Sequence, residues 1–445
     1  LPRFGRVVVS QGLLDQLADD EIAALYAYEL SHWRGPDWRL VSVVGLLLQM
    51  FHGAYWAVAQ WGNGQKRLVY LGAGGVATVC YGMFWLLSKA VGWTARLRTY
   101  YRDRTATQLT GNPNGLIRAL GNLSFALSDA VAAQGYTPPL VESLALQLPV
   151  GAASTLACHG ERHRQPLATL FLWDALNPWR SWLSVNQPQP PLGDRLQLLA
   201  AYARHWRLTP TLDFSVIALA NRRAGRFTAE EWRRLVSLAG PWSGLALGFA
   251  MGVLLWGLGW AATQMNLAFL DWLDQDFIVV YSATLLGLGT GILLRMNRFF
   301  PDFPDPDLAH GGTDQPVIDD PQWLTAPDLV PSDSLPVQRS GQLIGRPGIA
   351  NWLGQDLLLQ TDSGLTKLHC FSAVGPIGNV WARPQRYLGQ TAQVRGWYRR
   401  GQQVWIDVQQ LQTANGRVTG NHPVWSLVLC AIATLGGLWL LVRGG

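Results

Sequence analysis

The stretch Asp19–Asp37, "DDEIAALYAYELSHWRGPD", decides how the rest of the chain is read. Asp19, Asp20 and Glu21 put negative charge where a helix start favours it, and Gly35-Pro36 ends a helix, so the pattern predicts a helix from Ala18 to Arg34. Near its end, "AYELSH" (Ala27–His32) falls one residue short of His-Glu-x-x-His. In that pattern two imidazoles four residues apart share a helix face and hold zinc, and the Glu beside the first takes a proton from zinc-bound water. Tyr28 stands at the first His position, while Glu29 and His32 are in place.

Composition sets the wider frame. The 445 residues are only 14% charged, with 22 Trp, 47 Gly and Arg far outnumbering Lys, which excludes a disordered chain and points to a membrane protein. Five stretches without formal charge are long enough to cross about 30 Å of hydrocarbon: Leu40–Trp61, Leu68–Leu87, Trp242–Ala262, Phe277–Leu294 and Val424–Val442. The net charge of +6 lies largely in Arg96–Arg234, beside the spans. It reads as orientation, with the basic segment on the cytoplasmic side, and no nucleic-acid partner is expected. "NLAFLDWLDQD" between the third and fourth spans carries no Lys or Arg, whereas "GNGQK" after the first span ends in Lys66 with Arg67 next, against that pattern. Cys80 and Cys430 fall in spans, and Cys158 and Cys370 lie far apart, so the cysteines read as packing residues. The chain opens on Leu1 in the strand-like "RFGRVVVS" with no targeting segment, and is expected to begin inside a longer polypeptide.

Five regions follow: 1–39 with 92–238, interrupted by a membrane hairpin at 40–91; a second hairpin at 239–296; an acidic, Pro-rich linker at 297–338; a β domain at 339–420; and a last membrane helix at 423–443. "QGLLDQL" reads as a helical turn, Thr94 to about Leu238 as helical and soluble, and "TAEE" (Thr228–Glu231) as a capping box. In the β domain, short alternating runs separated by Gly turns predict a small barrel or sandwich, with Val404, Ile406 and Val408 on the buried face of one strand. Trp397, Tyr398, Arg399 and Arg400 read either as a lipid-headgroup or single-strand patch, or as a solvated hairpin. In "CHGERH", Cys158, His159, Glu161 and His163 could bind metal, but the glycine and polar neighbours favour a surface turn. His52 reads as a core or interface histidine.

Taken together, "GRVVVSQGLLDQLADDEIAALYAYELSH", "RTYYRDRTATQLTGNPNGLIRAL" and "SVNQPQPPLGDRL" resemble the HtpX-type membrane zinc metallopeptidases, metallopeptidase family 48 of the gluzincins. The likeness covers Leu1 to about Leu199. It implies a mainly α, polytopic membrane protein with a gluzincin-like helical peptidase domain beside the small C-terminal β-barrel or sandwich.

Carried over position by position, the resemblance puts Tyr28 and His32 at the two His ligands and Glu29 at the general base. Thr99 falls at the ligand Glu, four residues before Asp103, Gln189 at the loop His, and Arg195 at the loop's closing Arg. Asp103, Arg195 and Gln189 would form the outer shell. A complete zinc site yields about 10–16 kcal/mol, so losing two ligands at about 3–4 kcal/mol each would take the affinity to around millimolar. No cofactor is therefore expected, and zinc only if peptidase activity persists. The favoured reading is a membrane-anchored pseudopeptidase whose old cleft serves binding or structure. Its alternatives are an active zinc metalloendopeptidase of membrane-protein quality control with a non-standard ligand set, and a non-enzymatic membrane scaffold or assembly factor. Membrane lipid, membrane-protein clients and a larger membrane complex are the expected partners.

Overall fold

The computed structural model describes residues 9–33, 38–159, 167–177, 180, 189–212, 214, 239–273, 277–300, 335–362, 364–372, 374–400, 403–420 and 424–444. Most of the strand-like opening, the Pro-rich linker, the capping box at Thr228, and Glu161 and His163 of "CHGERH" lie outside these residues.

Helix α1 (Gln11–Gln16) is capped by Ser10, and α2 (Asp19–Leu30) begins with the three acidic residues in its first turn. Its N-cap is Ala18, which has no side-chain acceptor, so Glu21 supplies half a capping box by accepting from the Ala18 N–H at 3.3 Å. The helix ends earlier than the predicted Arg34. Ser31–Trp33 forms a 3₁₀ turn, so His32 sits just past the α-helix while Tyr28 and Glu29 lie on it.

Helices α3 (Trp38–Asn63) and α4 (Arg67–Thr110) form a hairpin. At 44 residues, α4 is about 66 Å long and joins the apolar hairpin to the Thr99–Asp103 region in one rigid element. It ends at Gly111, whose φ of 65° suits glycine, and α5 (Pro113–Gln134) follows with Asn112 as cap and proline at its first position. After short helical turns between Pro139 and Leu176 comes α6 (Leu192–His205). One core joins α2, α4, α5 and α6 through Leu25, Tyr28, Ala106, Ile117, Leu120, Leu196 and Leu199.

Among the described residues six helices are long and apolar enough to cross a membrane: the α3 and α4 stretches, α5, α7 (Gly240–Gln264), α8 (Ile278–Phe299) and α9 (Val424–Gly444). They mark the chain as an integral membrane protein. Helix α5 was not among the five expected spans. Its apolar residues Leu116, Ile117 and Leu120 are fully buried in the core, which explains a span-like composition inside a folded domain.

Helices α7 and α8 meet through glycines: a Cβ built at Gly244 would lie 2.2 Å from the Gly287 carbonyl oxygen. Backbones this close exclude larger residues from the interface. Gly244→Leu should therefore lower the thermal transition of the detergent-solubilised chain by several degrees, whereas Gly257→Leu, with open space around its Cβ position, should leave it within about a degree.

The C-terminal domain is a barrel. Strands β1 (Leu335–Gly345), β2 (Leu357–Thr361), β3 (Gly364–Cys370), β4 (Thr391–Arg400), β5 (Val404–Thr413) and β6 (Gly416–Thr419) form a sheet ordered β3-β2-β1-β4-β5-β6. A parallel β3–β5 pairing closes the first five into a ring of the OB type. Val404, Ile406 and Val408 point into its core with Leu343, Leu359 and Leu368. The reading of Trp397, Tyr398 and Arg399 as a surface patch or solvated hairpin is corrected. All three are buried; Arg399 bonds Asp407 at 2.6 Å and lies over the Phe300 ring at the end of α8. Alternating sequence could not show that this strand is covered on both faces. The four cysteines carry no disulfide, and His159 of "CHGERH" pairs with Asp129 at 2.9 Å.

Candidate active-site cleft

Helix α2 packs on α4, and α6 also packs against α4. This brings Tyr28, Glu29 and His32 to the face of α4 that carries Arg102 and Asp103. The Tyr28 ring is fully buried, edge-on to His32 with centroids 6.5 Å apart. The guanidinium of Arg102 lies 5.7 Å from its centroid and that of Arg195 5.8 Å.

Arg195 and Asp103 form the most buried charge pair of the cleft. Arg195 Nε and Nη2 each donate to Asp103 at 2.8 Å, and Nη1 donates to the Pro149 carbonyl. Both side chains are essentially inaccessible. Burial alone would lower the guanidinium pKa, but Asp103 reverses that and holds it above its ordinary value. The sequence placed both residues around the site without pairing them.

Arg102 was not singled out in the sequence, although it lies three residues after Thr99 and so shares its helix face. Its Nη2 contacts His32 Nδ1 at 2.8 Å. A guanidinium only donates, so Nδ1 must present its lone pair and the imidazole proton belongs on Nε2. Burial, then the charges of Arg102 and Arg98, push the His32 pKa down to about 3, and the ring is neutral around pH 7. His32 Nε2 approaches Glu29 Oε2 at 3.4 Å but makes no hydrogen bond. Burial raises the Glu29 carboxyl, and Arg102 partly offsets it.

These residues do not fit a zinc ion. The one lone pair on His32 is engaged by Arg102, and a divalent cation there would face two guanidinium groups. Burial raises the Tyr28 phenol further above its ordinary value, so the phenolate that could ligate zinc is disfavoured. Its hydroxyl makes no hydrogen bond of normal geometry despite the neighbouring Arg102. The Thr99 hydroxyl donates to Ala95 O on its own helix at 3.1 Å. Gln189 is buried and gives its amide to the Ala145 and Leu148 carbonyls at 2.6 and 2.8 Å, which ties down the loop instead of reaching the cleft centre. Among the described residues no three of His, Cys, Asp and Glu gather as a metal-binding group.

Residues 2–203 match the family model of peptidase family M48. Curated relatives include the Protease HtpX homolog of Ligilactobacillus salivarius, 32% identical over 139 residues, covering 28% of this chain and 46% of the relative. Those of Methanothermobacter thermautotrophicus and Aeropyrum pernix are 28% and 32% identical over 124 and 143 residues, covering 28% and 31% of this chain and 45% and 42% of the relatives. The chain thus spans a little under half the length of the curated relatives it matches. No solved structure matches.

Proposed function

We propose, from the match of residues 2–203 to the model of peptidase family M48 and from the similarity to HtpX-type relatives, that the chain is a membrane-anchored pseudopeptidase of gluzincin-like fold that keeps the family cleft without the metal chemistry. The observation that carries this reading is the Arg102 hydrogen bond to His32 Nδ1, which spends on a guanidinium the lone pair that zinc would need. In place of the metal, the Tyr28 ring between two guanidinium groups and the Asp103–Arg195 pair hold α2, α4 and α6 together. The cleft then acts as a binding or structural surface towards membrane-protein clients. Arg-rich flanks of the spans favour the cytoplasmic side for this domain and the barrel.

A second reading, an active zinc metalloendopeptidase with a non-standard ligand set, is favoured at the family level, since the named relatives are proteases. Zinc content and casein cleavage of the purified chain separate the two. The pseudopeptidase reading expects well under one zinc per chain and no cleavage that Glu29→Gln abolishes. A general base contributes typically about 100- to 10,000-fold only where an activated water is present. One zinc per chain, with cleavage lost in Glu29→Gln, would establish the peptidase.

A further inference from the structure

The α3–α4 hairpin has the composition of two spans, but the folded domains cover one side of it as far as its tip. On α3, Gln49 bonds Ser143 at 3.2 Å, His52 lies 3.4 Å from Glu142, and the Tyr55 hydroxyl donates to Ala350 O at 2.5 Å. At the tip, the Ile349 N–H donates to Asn63 at 2.8 Å. On α4, Tyr81 donates to Glu142 at 2.7 Å, and Trp352 of the barrel packs on Tyr70 and against Gly74. Arg346 of the barrel completes the node, donating to Glu142 at 2.5 Å.

Helical rise puts Asn63 about 21 Å beyond Gln49, so more than half of α3 runs beside these domains. The barrel wall carries exposed Gln338, Ser340, Gln393, Gln412 and Arg417, which cannot enter hydrocarbon. Only Trp38 to Gln49, about 16 Å, is left to cross about 30 Å of hydrocarbon. A hairpin that crosses would carry the barrel into the bilayer.

The opposite face of the hairpin is apolar and open: Val43, Leu46, Met50, Val76, Val79 and Trp85 are each more than half exposed. The tip bears Lys66 and Arg67, the pair that contradicts the charge pattern of a tip on the far side. We propose that this hairpin lies along the membrane surface, its open face sunk in the leaflet on the barrel's side and its basic tip among anionic headgroups. Lipid is the occupant because the same chain presents the apolar helices α7, α8 and α9 to a bilayer and carries basic residues at this tip. Among the described helices, α7, α8 and α9 then cross the bilayer.

Impermeant maleimide labelling in sealed vesicles tests this in a Cys80→Ala background, the other three cysteines being buried. Gly64→Cys at the tip should label from the same side as Asn415→Cys in the β5–β6 turn and from the side opposite Met265→Cys, between α7 and α8. Labelling with Met265→Cys, or only after detergent, overturns the proposal. A protease site inserted between Gly64 and Gln65 gives the same reading without cysteine chemistry, cleavage being expected only from the side of Asn415. Val79→Cys carrying an environment-sensitive dye should be quenched several-fold more by nitroxide lipids than by aqueous iodide. Shielding from both would mean that a second protein surface covers the face, and would overturn lipid as its occupant.

Discussion

A chain carrying Tyr28→His, Thr99→Glu and Arg102→Ala should bind about one zinc ion, whereas Tyr28→His with Thr99→Glu alone should bind it far more weakly. The two introduced ligands restore the set that the family resemblance assigns around His32. Each ligand contributes about 3–4 kcal/mol, so the pair is expected to raise affinity by roughly 10⁴- to 10⁶-fold. That gain requires the His32 lone pair, which Arg102 holds at 2.8 Å. A guanidinium left there must be displaced by the metal, against its hydrogen bond and its charge. Competition with a chelating dye measures the affinities of the unaltered chain and of both variants. Equal binding by the double and triple variants would show that Arg102 yields easily and does not bar the metal.

Asp103→Ala is expected to destabilise the peptidase-like domain by about 3–5 kcal/mol, because it strands a buried guanidinium without its partner. The thermal transition in detergent should fall by several degrees or the domain should fail to accumulate. Asp103→Ala combined with Arg195→Met removes both charges and should recover much of the loss, since an apolar pair in the same space leaves no unpaired ion. Arg118→Ala provides the contrast. Its guanidinium is about 40% exposed, pairs with the similarly exposed Asp20 and lies 3.4 Å from Glu21, which keeps Asn122 and the Ala18 N–H as donors when the arginine is removed, so the loss is expected to be no more than about 1 kcal/mol. An Asp103→Ala effect as small as that of Arg118→Ala would mean that Arg195 finds other partners within the cleft.

Local pattern alone was enough for several elements. Acidic residues at the start of α2 and the alternation of Val404, Ile406 and Val408 act through the backbone or through period, which are local properties. The family resemblance was legible for the same reason, being carried by short ordered strings, and residues 2–203 match that family. The segment that holds α5 reads as helical and soluble, and α5 is indeed a core helix, its apolar residues surrounded by neighbouring helices. Two matters depended on the tertiary structure. Trp397 and Arg399 read as surface residues until the end of α8 was seen to cover their strand. In the cleft, Glu29, His32, Asp103 and Arg195 were all named from sequence, yet Arg102 was not. Its meaning comes from a hydrogen bond between residues 70 positions apart, and only the packing of α2 on α4 creates that contact.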